Sequence, residues 1–346
     1  MGAHARLPLG AGGLAVCAGF CGAGRLKENR FAPEIIKVSA GVIVRGDGRF
    51  LLGRRPPGSF YPGYWEFPGG KIEAGESPAG ALMRELDEEL GIKAGQCYPW
   101  VVRIHDYEHG RVRLHFFEVA QWQGEVFAHI HDALEWVLPG CPVAPSPMLP
   151  ANGPILKALA LPRRMGITHA ASMGIEPQLA ALDHALQAGL RLVMVRENAL
   201  PLPERQTFTK EAICRAHAAG ALAVVNGEPE QAHEAGADGV HLTAERLMAS
   251  RSRPDFAWVG ASCHTRTELE HAAALGFDYA LLGAVKPTAT HSDGKTLGWE
   301  GFAAAARGLP LPIFALGGLT DGDMEAARLS GAHGIAAIRG VWDGAI

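Results

Sequence analysis

The 346-residue sequence lacks any strong excess of charge: 32 Lys and Arg stand against 36 Asp and Glu, a formal net charge of −4. That balance excludes a general attraction to polyanions, so duplex DNA is not an expected partner and any nucleotide has to be met by a local site. Cysteine is scarce and scattered. Cys17, Cys21, Cys97, Cys141, Cys214 and Cys263 form neither a CxxC pair nor a disulfide-type spacing, which points to a reducing, cytoplasmic setting. No apolar run is built to cross a bilayer: "LPLGAGGLAVCAGFCGAG" is glycine-rich, poor as a helix and too short, so no membrane partner is expected. Residues 1–34 read as a disordered leader or an over-extended start. "LAVC" faintly resembles a lipoprotein cleavage site, but Val16 is larger than the residue usual before such a cysteine.

What is present suits two domains, 35–163 and 164–346. In the first, "KVSAGVIV", "RFLLGRR" and "RVRLHFFEVAQW" read as strands from their alternation and their β-branched or aromatic content. A proline-rich run, "PGCPVAPSPMLPANGP", ends the regular pattern, and "ILKALALPRR" reads as a closing helix. A helical segment between the second and third strands makes this an α+β domain. Beyond Arg163, short apolar strands alternate with alanine-rich helices: "GITHAAS", "RLVMVREN", "ALAVVNG", "DGVHLT", "WVGASCH", "DYALLGAV", "IFALGG" and "GIAAIRG". That alternation predicts parallel pairing and a compact α/β (β/α)8 TIM barrel, with an eighth helix missing or vestigial because only "VWDGAI" follows "AAIRG".

The stretch "GESPAGALMRELDEELGI" concentrates negative charge. With Ser77 as cap, Pro78 in the first turn and Gly91 at the left-handed position after Leu90, it predicts a helix. Glu85, Glu88 and Glu89 then share a face, where each like-charge pair costs roughly 0.2–0.5 kcal/mol. Arg84 offsets only part of that cost, and oxygen-only ligands favour Mg²⁺ or Mn²⁺. Most charge runs on helices are solvated faces, so the wider spacing has to decide. Gly70, five residues, Glu76, seven residues, then Arg84-Glu85-Leu86-Asp87-Glu88-Glu89-Leu90-Gly91-Ile92 matches the Nudix box at every specified position. With seven fixed identities, each at a background of about 6–7%, a chance match is on the order of one in 10⁸ per start position.

Residues from about Lys37 to Leu161 therefore resemble a Nudix hydrolase of the MutT type. The resemblance implies metal-assisted hydrolysis of a nucleoside triphosphate, with Glu85, Glu88, Glu89 and the Gly69 carbonyl on the metal. It gives Arg84 and Glu76 the task of orienting loop and helix. "LPANGPILKAL" resembles the closing segment in which an asparagine, here Asn152, reads the base. An amide can accept from N7–H of 8-oxoguanine while donating to O6, which normal guanine cannot match. The implied activity is an 8-oxo-dGTP diphosphatase yielding 8-oxo-dGMP and pyrophosphate, so that oxidised purine nucleoside triphosphates are the partners and mutation is prevented. Arg54, Arg55 and Arg111 are candidate phosphate or base contacts. One departure stands out: where the family carries an extra glutamate, this chain has Ile130 in "AHIHD", and His129, His131 or Asp132 are the candidates to replace it, Asp132 being the best oxygen ligand. His115, on an apolar strand, reads as a core histidine.

The second domain resembles the thiamine monophosphate synthase and TenI-like thiazole tautomerase family through "GADGVHL", "GASCHTRTELEHAAALGFDYALLGAV", "PTAT" and "ALGGL". The resemblance implies a phosphate corner at Gly317 and Gly318 with backbone near Arg339. It also leaves His264 as a possible acid or base, unless it only caps the next helix. The synthase's polar residues are largely replaced. Met194 stands for a glutamine, Gly227 for an aspartate after Asn226, Arg246 (or a displaced Glu245) for an acidic ligand, and His291 for a lysine. A degenerate barrel that binds a small phosphate ligand is the expectation. Two rival readings remain open: hydrolysis of a thiamine-pathway pyrimidine diphosphate, and a non-catalytic nucleotide sensor.

Overall fold

The computed structural model describes residues 35–108, 110–141, 145–288 and 296–342. Residues 1–34, Thr290 and His291 lie outside the described residues. The first region runs β1 (Ile36–Ile43), β2 (Phe50–Arg54), β3 (Trp65–Glu66), β4 (Gly69–Lys71), α1 (Pro78–Leu90), β5 (Lys93–Ala94), β6 (Cys97–Tyr107), β7 (Gly110–Val119), β8 (Trp122–Gln123), β9 (Ala133–Val137) and α2 (Gly153–Leu159). Its main sheet has the order β4-β1-β7-β6 and is mixed, since β1 runs parallel to β7 while β4 and β6 are antiparallel to their neighbours. A second, antiparallel sheet is ordered β3-β2-β9.

Strand alternation separates two apolar layers. Val42, Phe50, Leu52, Phe67 and Phe116 pack with Ile155 of α2, whereas Ile43 and Leu51 pack with Leu82, Leu86 and Leu90 of α1. As the spacing predicts, the Ser77 hydroxyl accepts from the Gly80 N–H, Pro78 opens α1, and Gly91 closes it at φ 69°. Burying Leu82, Leu86 and Leu90 fixes the rotation of α1 and so turns Glu85 and Glu89 toward the Gly69-Gly70 turn.

The second region runs β10 (Arg164–Ile167), α3 (Ala170–Met173), α4 (Ile175–Gln187), β11 (Leu192–Val195), α5 (Leu202–Ala218), β12 (Leu222–Asn226), α6 (Pro229–Glu234), β13 (Gly239–Leu242), α7 (Ala244–Ala249), β14 (Trp258–Cys263), α8 (Arg266–Ala274), β15 (Tyr279–Gly283), α9 (Gly298–Ala306), β16 (Ile313–Leu316), α10 (Met324–Leu329) and β17 (Gly334–Ala337). The eight strands β10 to β17 close into one parallel barrel. Among the described residues no helix follows β17. Instead Trp342 is buried, donates its indole N–H to the Ile167 carbonyl at 3.0 Å, and lies where a Cβ on Gly166 would come within 2.8 Å of its ring. One large side chain thus covers the start of the barrel seam.

The two regions share a polar, buried joint. A bulge between Pro99 and Val102 of β6 breaks the pairing with β7, and there the Val102 N–H donates to the Leu309 carbonyl and the Trp100 ring stacks on His333. Glu118 of β7, 3% exposed, takes both Arg163 and Arg328; the Tyr98 hydroxyl donates to Glu325 at 2.7 Å, and Lys157 of α2 reaches Asp278. Arg163, Asp278, Leu309 and His333 all precede barrel strands. The first region therefore packs on the N-terminal end of the barrel, the end that serves stability in this fold.

Candidate functional site

The carboxylates of α1 meet a turn that only glycine can make. Gly69 sits at φ 141°, and a Cβ there would fall 2.1 Å from the Ser39 carbonyl oxygen; a Cβ on Gly70 would fall 2.3 Å from the Glu85 carboxylate. Close approach of bare backbone to side-chain oxygen is the result. The Gly69 N–H donates to Glu89 Oε2 at 2.8 Å. Glu89 is buried, and burial, with Glu66 and Glu85 adding to it, pushes its carboxyl up to about 7 against the opposing pull of His131 and the Gly69 N–H.

Arg84 gathers the other acids. Its guanidinium donates to Glu76 at 3.2 and 3.1 Å, to Glu85 at 2.9 Å, to Glu88 at 3.4 Å and to the Lys71 carbonyl at 3.1 Å. Arg84 thus ties loop to helix as well as offsetting charge. Glu88 is the most exposed of the three box glutamates, at 56% of its side chain. Among the described residues no three His, Cys, Asp or Glu side chains already stand close enough together to hold an ion. The donor set nevertheless suits a hard divalent cation. It is all oxygen, and the buried Glu89 carboxylate is costly to ionise without a positive partner.

The "AHIHD" loop resolves differently from expectation. Asp132 is not turned to the glutamates: its carboxylate pairs with Arg54 at 2.7 Å, and its N–H bonds the Arg54 carbonyl, which fixes the end of β2 to the start of β9. In this arrangement Asp132 serves the join between β2 and β9. Arg54 is likewise engaged by that pair and not held apart for substrate. Ile130 is exposed, and His129 bonds the Glu89 carbonyl through its backbone N–H. His131 is the member that turns inward. It is 5% exposed, its Nε2 lies 3.6 Å from Glu66 Oε1, and its ring covers Gly53 so closely that a Cβ there would lie 2.4 Å away. Burial lowers the affinity of this imidazole for a proton, but Glu66 and Glu89 more than compensate, so its pKa is raised.

Asn152 ends a 3-10 turn, Pro150–Asn152, and is 3% exposed, with its Nδ2 4.0 Å from Met148 Sδ. The strand-like stretch before it is pinned to β3: the Trp65 N–H donates to the Pro147 carbonyl and the Leu149 N–H to the Trp65 carbonyl. That pinning places Asn152 beside the strand that carries Glu66. Arg55 donates to both Glu66 oxygens, at 2.7 and 2.6 Å, and to the Phe60 carbonyl; Arg111 pairs with Asp106 on an exposed hairpin. Glu66 was not singled out from sequence. His115 is only half-buried, with its pKa lowered by burial.

At the C-terminal end of the barrel, Gly317 (φ 108°) and Gly318 (φ 63°) follow β16, and a Cβ on either would fall 2.7 Å from the chain after β15. Close packing of two turns therefore accounts for the glycines on its own. A Cβ on Gly340 would lie 2.9 Å from the Leu319 carbonyl, which brings the Arg339-Gly340 turn to the same corner, with Arg339 exposed. His264 has an exposed ring. Its N–H and that of Thr265 both donate to Glu268 in the capping box of α8, and its Nδ1 is 3.7 Å from the same carboxylate. Met194 is buried in the barrel core, and Arg246 pairs with Glu228, the neighbour of Gly227. An ion pair thus stands where a metal's carboxylates were expected. Inside the barrel, fully buried His241 lies 2.9 Å from Ser262 Oγ and 3.2 Å from the Tyr279 hydroxyl, and burial lowers it to about 3, so it is neutral.

A carboxylate-bearing helix on a mixed sheet, closed by a glycine turn and followed by a parallel barrel, defines a two-part protein, an α+β region with a candidate cation site and then an α/β barrel. The chain belongs to the Nudix family over residues 36–159 and to the thiamine monophosphate synthase family over residues 165–341. It is 43% identical to the CTP pyrophosphohydrolase of Escherichia coli (strain K12) over 127 residues, 36% of this chain and 91% of that protein. It is 41% identical to the 8-oxo-dGTP diphosphatase of Proteus vulgaris over 91 residues, 26% of this chain and 81% of that protein. The barrel is 38% identical to a thiamine-phosphate synthase of Chromobacterium violaceum over 165 residues, 46% of this chain and 78% of that protein.

Proposed function

We propose that the first region is a Mg²⁺- or Mn²⁺-dependent nucleoside triphosphate diphosphohydrolase that prefers 8-oxo-dGTP and so sanitises the nucleotide pool. The single observation that carries the reading is the Gly69–Glu89 bond, at 2.8 Å, beside the Glu85 carboxylate packed on Gly70. Glu85, Glu88 and Glu89 with the Gly69 carbonyl would hold the cation, which would supply positive charge to the phosphate oxygens during hydrolysis. Arg84 holds Glu85 and Glu88 near that position beforehand, and His131, beside Glu66, favours the charged form of Glu89. Asn152 reads the base edge, accepting from N7–H and donating to O6.

The kinship with a CTP pyrophosphohydrolase makes a pyrimidine triphosphate the first competitor, and a thiamine-pathway pyrimidine diphosphate the second. Steady-state kcat/KM on the full chain, with 8-oxo-dGTP, dGTP, CTP and hydroxymethylpyrimidine diphosphate, separates them. The oxidised purine is expected to lead by at least about tenfold, the discrimination a mismatched buried amide supports. A lead for CTP would replace the substrate and keep the reaction; no multiple turnover of any nucleoside triphosphate would leave only a sensor. We further propose that 35–163 and 164–346 are the working domains, that the protein acts in the cytoplasm, and that the barrel is a degenerate binder of a small phosphate ligand at Gly317, Gly318 and Arg339. The Arg246–Glu228 pair supports that last point.

A further inference from the structure

We infer that Tyr61 is the face on which the substrate's nucleobase stacks, next to the edge that Asn152 reads. The inference rests on the nucleotide-hydrolase reading above. Tyr61 has φ 55°, the one positive φ at a non-glycine residue among the described residues. A bulky side chain is rarely left there, and Pro62 further narrows the conformations open to the residue before it. Such strain persists only where the surroundings impose it, and it gathers at ligand clamps.

The surroundings here are specific. The Arg55 N–H donates to the Tyr64 carbonyl, the Gly63 N–H to the Arg55 carbonyl, and Arg55 Nε to the Phe60 carbonyl at 2.5 Å, while the same guanidinium is locked on Glu66. The loop between β2 and β3 is therefore tied to the strand beside Asn152. The Tyr61 ring meets Tyr64 edge-on at 5.3 Å and Tyr107 at 5.8 Å, and Tyr107 in turn meets His105 at 4.4 Å. The Ala151 N–H bonds the Tyr107 hydroxyl. The rings thus form a continuous set from the loop to the neighbour of Asn152. Tyr61 and Tyr107 are both half-exposed, with Phe60 at the rim 67% exposed. Every base offers a π face, so this surface would bind purines and pyrimidines alike and leave choice between them to Asn152.

A ring that served packing alone would behave differently from one held for a ligand. The test uses the full chain and three measurements: KM and kcat for 8-oxo-dGTP and dGTP with Mg²⁺, the inhibition constant of inorganic tripolyphosphate, and Tm. Tyr61→Gly is expected to raise KM for both nucleotides by about 10-fold or more, within the roughly 5- to 160-fold worth of one base stack, and to leave kcat within a few-fold. Tripolyphosphate, having no base, should bind as before, and Tm should stay level or rise because glycine adopts positive φ freely. Tyr61→Phe, which keeps the ring, should restore most of the affinity. Unchanged nucleotide KM overturns the inference, as does an equal loss of tripolyphosphate binding or a fall in Tm that accounts for the loss. If the parent enzyme itself binds nucleoside triphosphates no better than tripolyphosphate, the nucleotide reading falls together with this one; if the parent discriminates and Tyr61→Gly is indifferent, only the stacking face falls.

Discussion

Replacing Glu118 by Gln tests whether the two regions stand or fall together. The Glu118 side chain is 4% exposed and takes Arg163, itself 29% exposed, and Arg328, 16% exposed. Taking away one member of a buried ion pair leaves uncompensated charge and costs about 3–5 kcal/mol. Here two guanidiniums would be left facing each other, though Arg163 keeps its bond to the His333 carbonyl at 2.8 Å. Glutamine preserves the shape and one acceptor, so the lower end, about 3 kcal/mol, is expected. Urea unfolding of the full chain reads the effect, with tryptophan fluorescence and far-UV circular dichroism followed together; Trp100 reports from the joint itself. The midpoint should fall on both signals, because the pair belongs to β7 on one side and to the barrel's strand starts and α10 on the other. As a comparison, Tyr98→Phe removes only the bond to Glu325 and should cost about 1 kcal/mol. A loss below about 1 kcal/mol for Glu118→Gln, or a shift confined to one of two separate transitions, would refute the reasoning.

Glu89→Gln separates stability from activity. The folded carboxyl sits near 7, above its ordinary value, so between about 4.5 and 7 the folded state holds more protons than the unfolded one, and the metal-free protein loses stability as pH rises through that window. The substitution should flatten that slope and stabilise the metal-free protein above pH 7 by on the order of 2–3 kcal/mol, while kcat with Mg²⁺ falls at least about 10²-fold; an unchanged slope counts against the assignment. Glu88→Gln should lower kcat by a similar factor without that gain, and a parent-like rate would sink its place on the metal. Gly53→Ala puts a Cβ within 2.4 Å of the His131 ring, and kcat should drop by about 10- to 100-fold with the fold intact by circular dichroism; a parent-like rate would show that His131 is a bystander. Mixing the full chain with hydroxymethylpyrimidine diphosphate, thiazole phosphate and Mg²⁺ should yield no thiamine monophosphate by chromatography, since Arg246 and Glu228 neutralise each other where metal carboxylates are needed.

Local signals were the legible ones. Helix α1 could be placed to the residue because its cap, its opening proline and its closing glycine are all within fifteen positions, and the eight barrel strands because each is a short apolar run buried on both faces. Strand β6 was missed for a physical reason. Its sequence "CYPWVVRIHDY" carries Pro99 and a bulge, and its apolar residues serve two partners, β7 on one side and the barrel on the other, which destroys simple alternation. The Glu118–Arg163–Arg328 joint spans 45 and 210 positions, and nothing local marks it. In the "AHIHD" loop, chemistry alone favoured Asp132, whereas the fold pairs Asp132 with Arg54 and buries His131. The residue at Gly53, absent of side chain, is what admits the His131 ring, and that complementarity lies 78 positions away from the loop in sequence.

The placement of the joint constrains how the two halves can influence each other. Parallel barrels carry their chemistry at the C-terminal ends of the strands, where Gly317, Gly318 and His264 lie, and β6 and α2 instead pack at the strand starts. Among the described residues, fusion at that end keeps the first region away from the C-terminal ends of the strands. It also links α2, which follows Asn152 directly, to the strand starts through Lys157, Ala257 and Asp278. A ligand on the barrel could therefore change nucleotide affinity only by as much as it shifts the packing at the strand starts, and nucleotide would change the affinity for that ligand by the same factor. The coupling belongs to binding free energy, and a product released from one half still has to diffuse to reach the other.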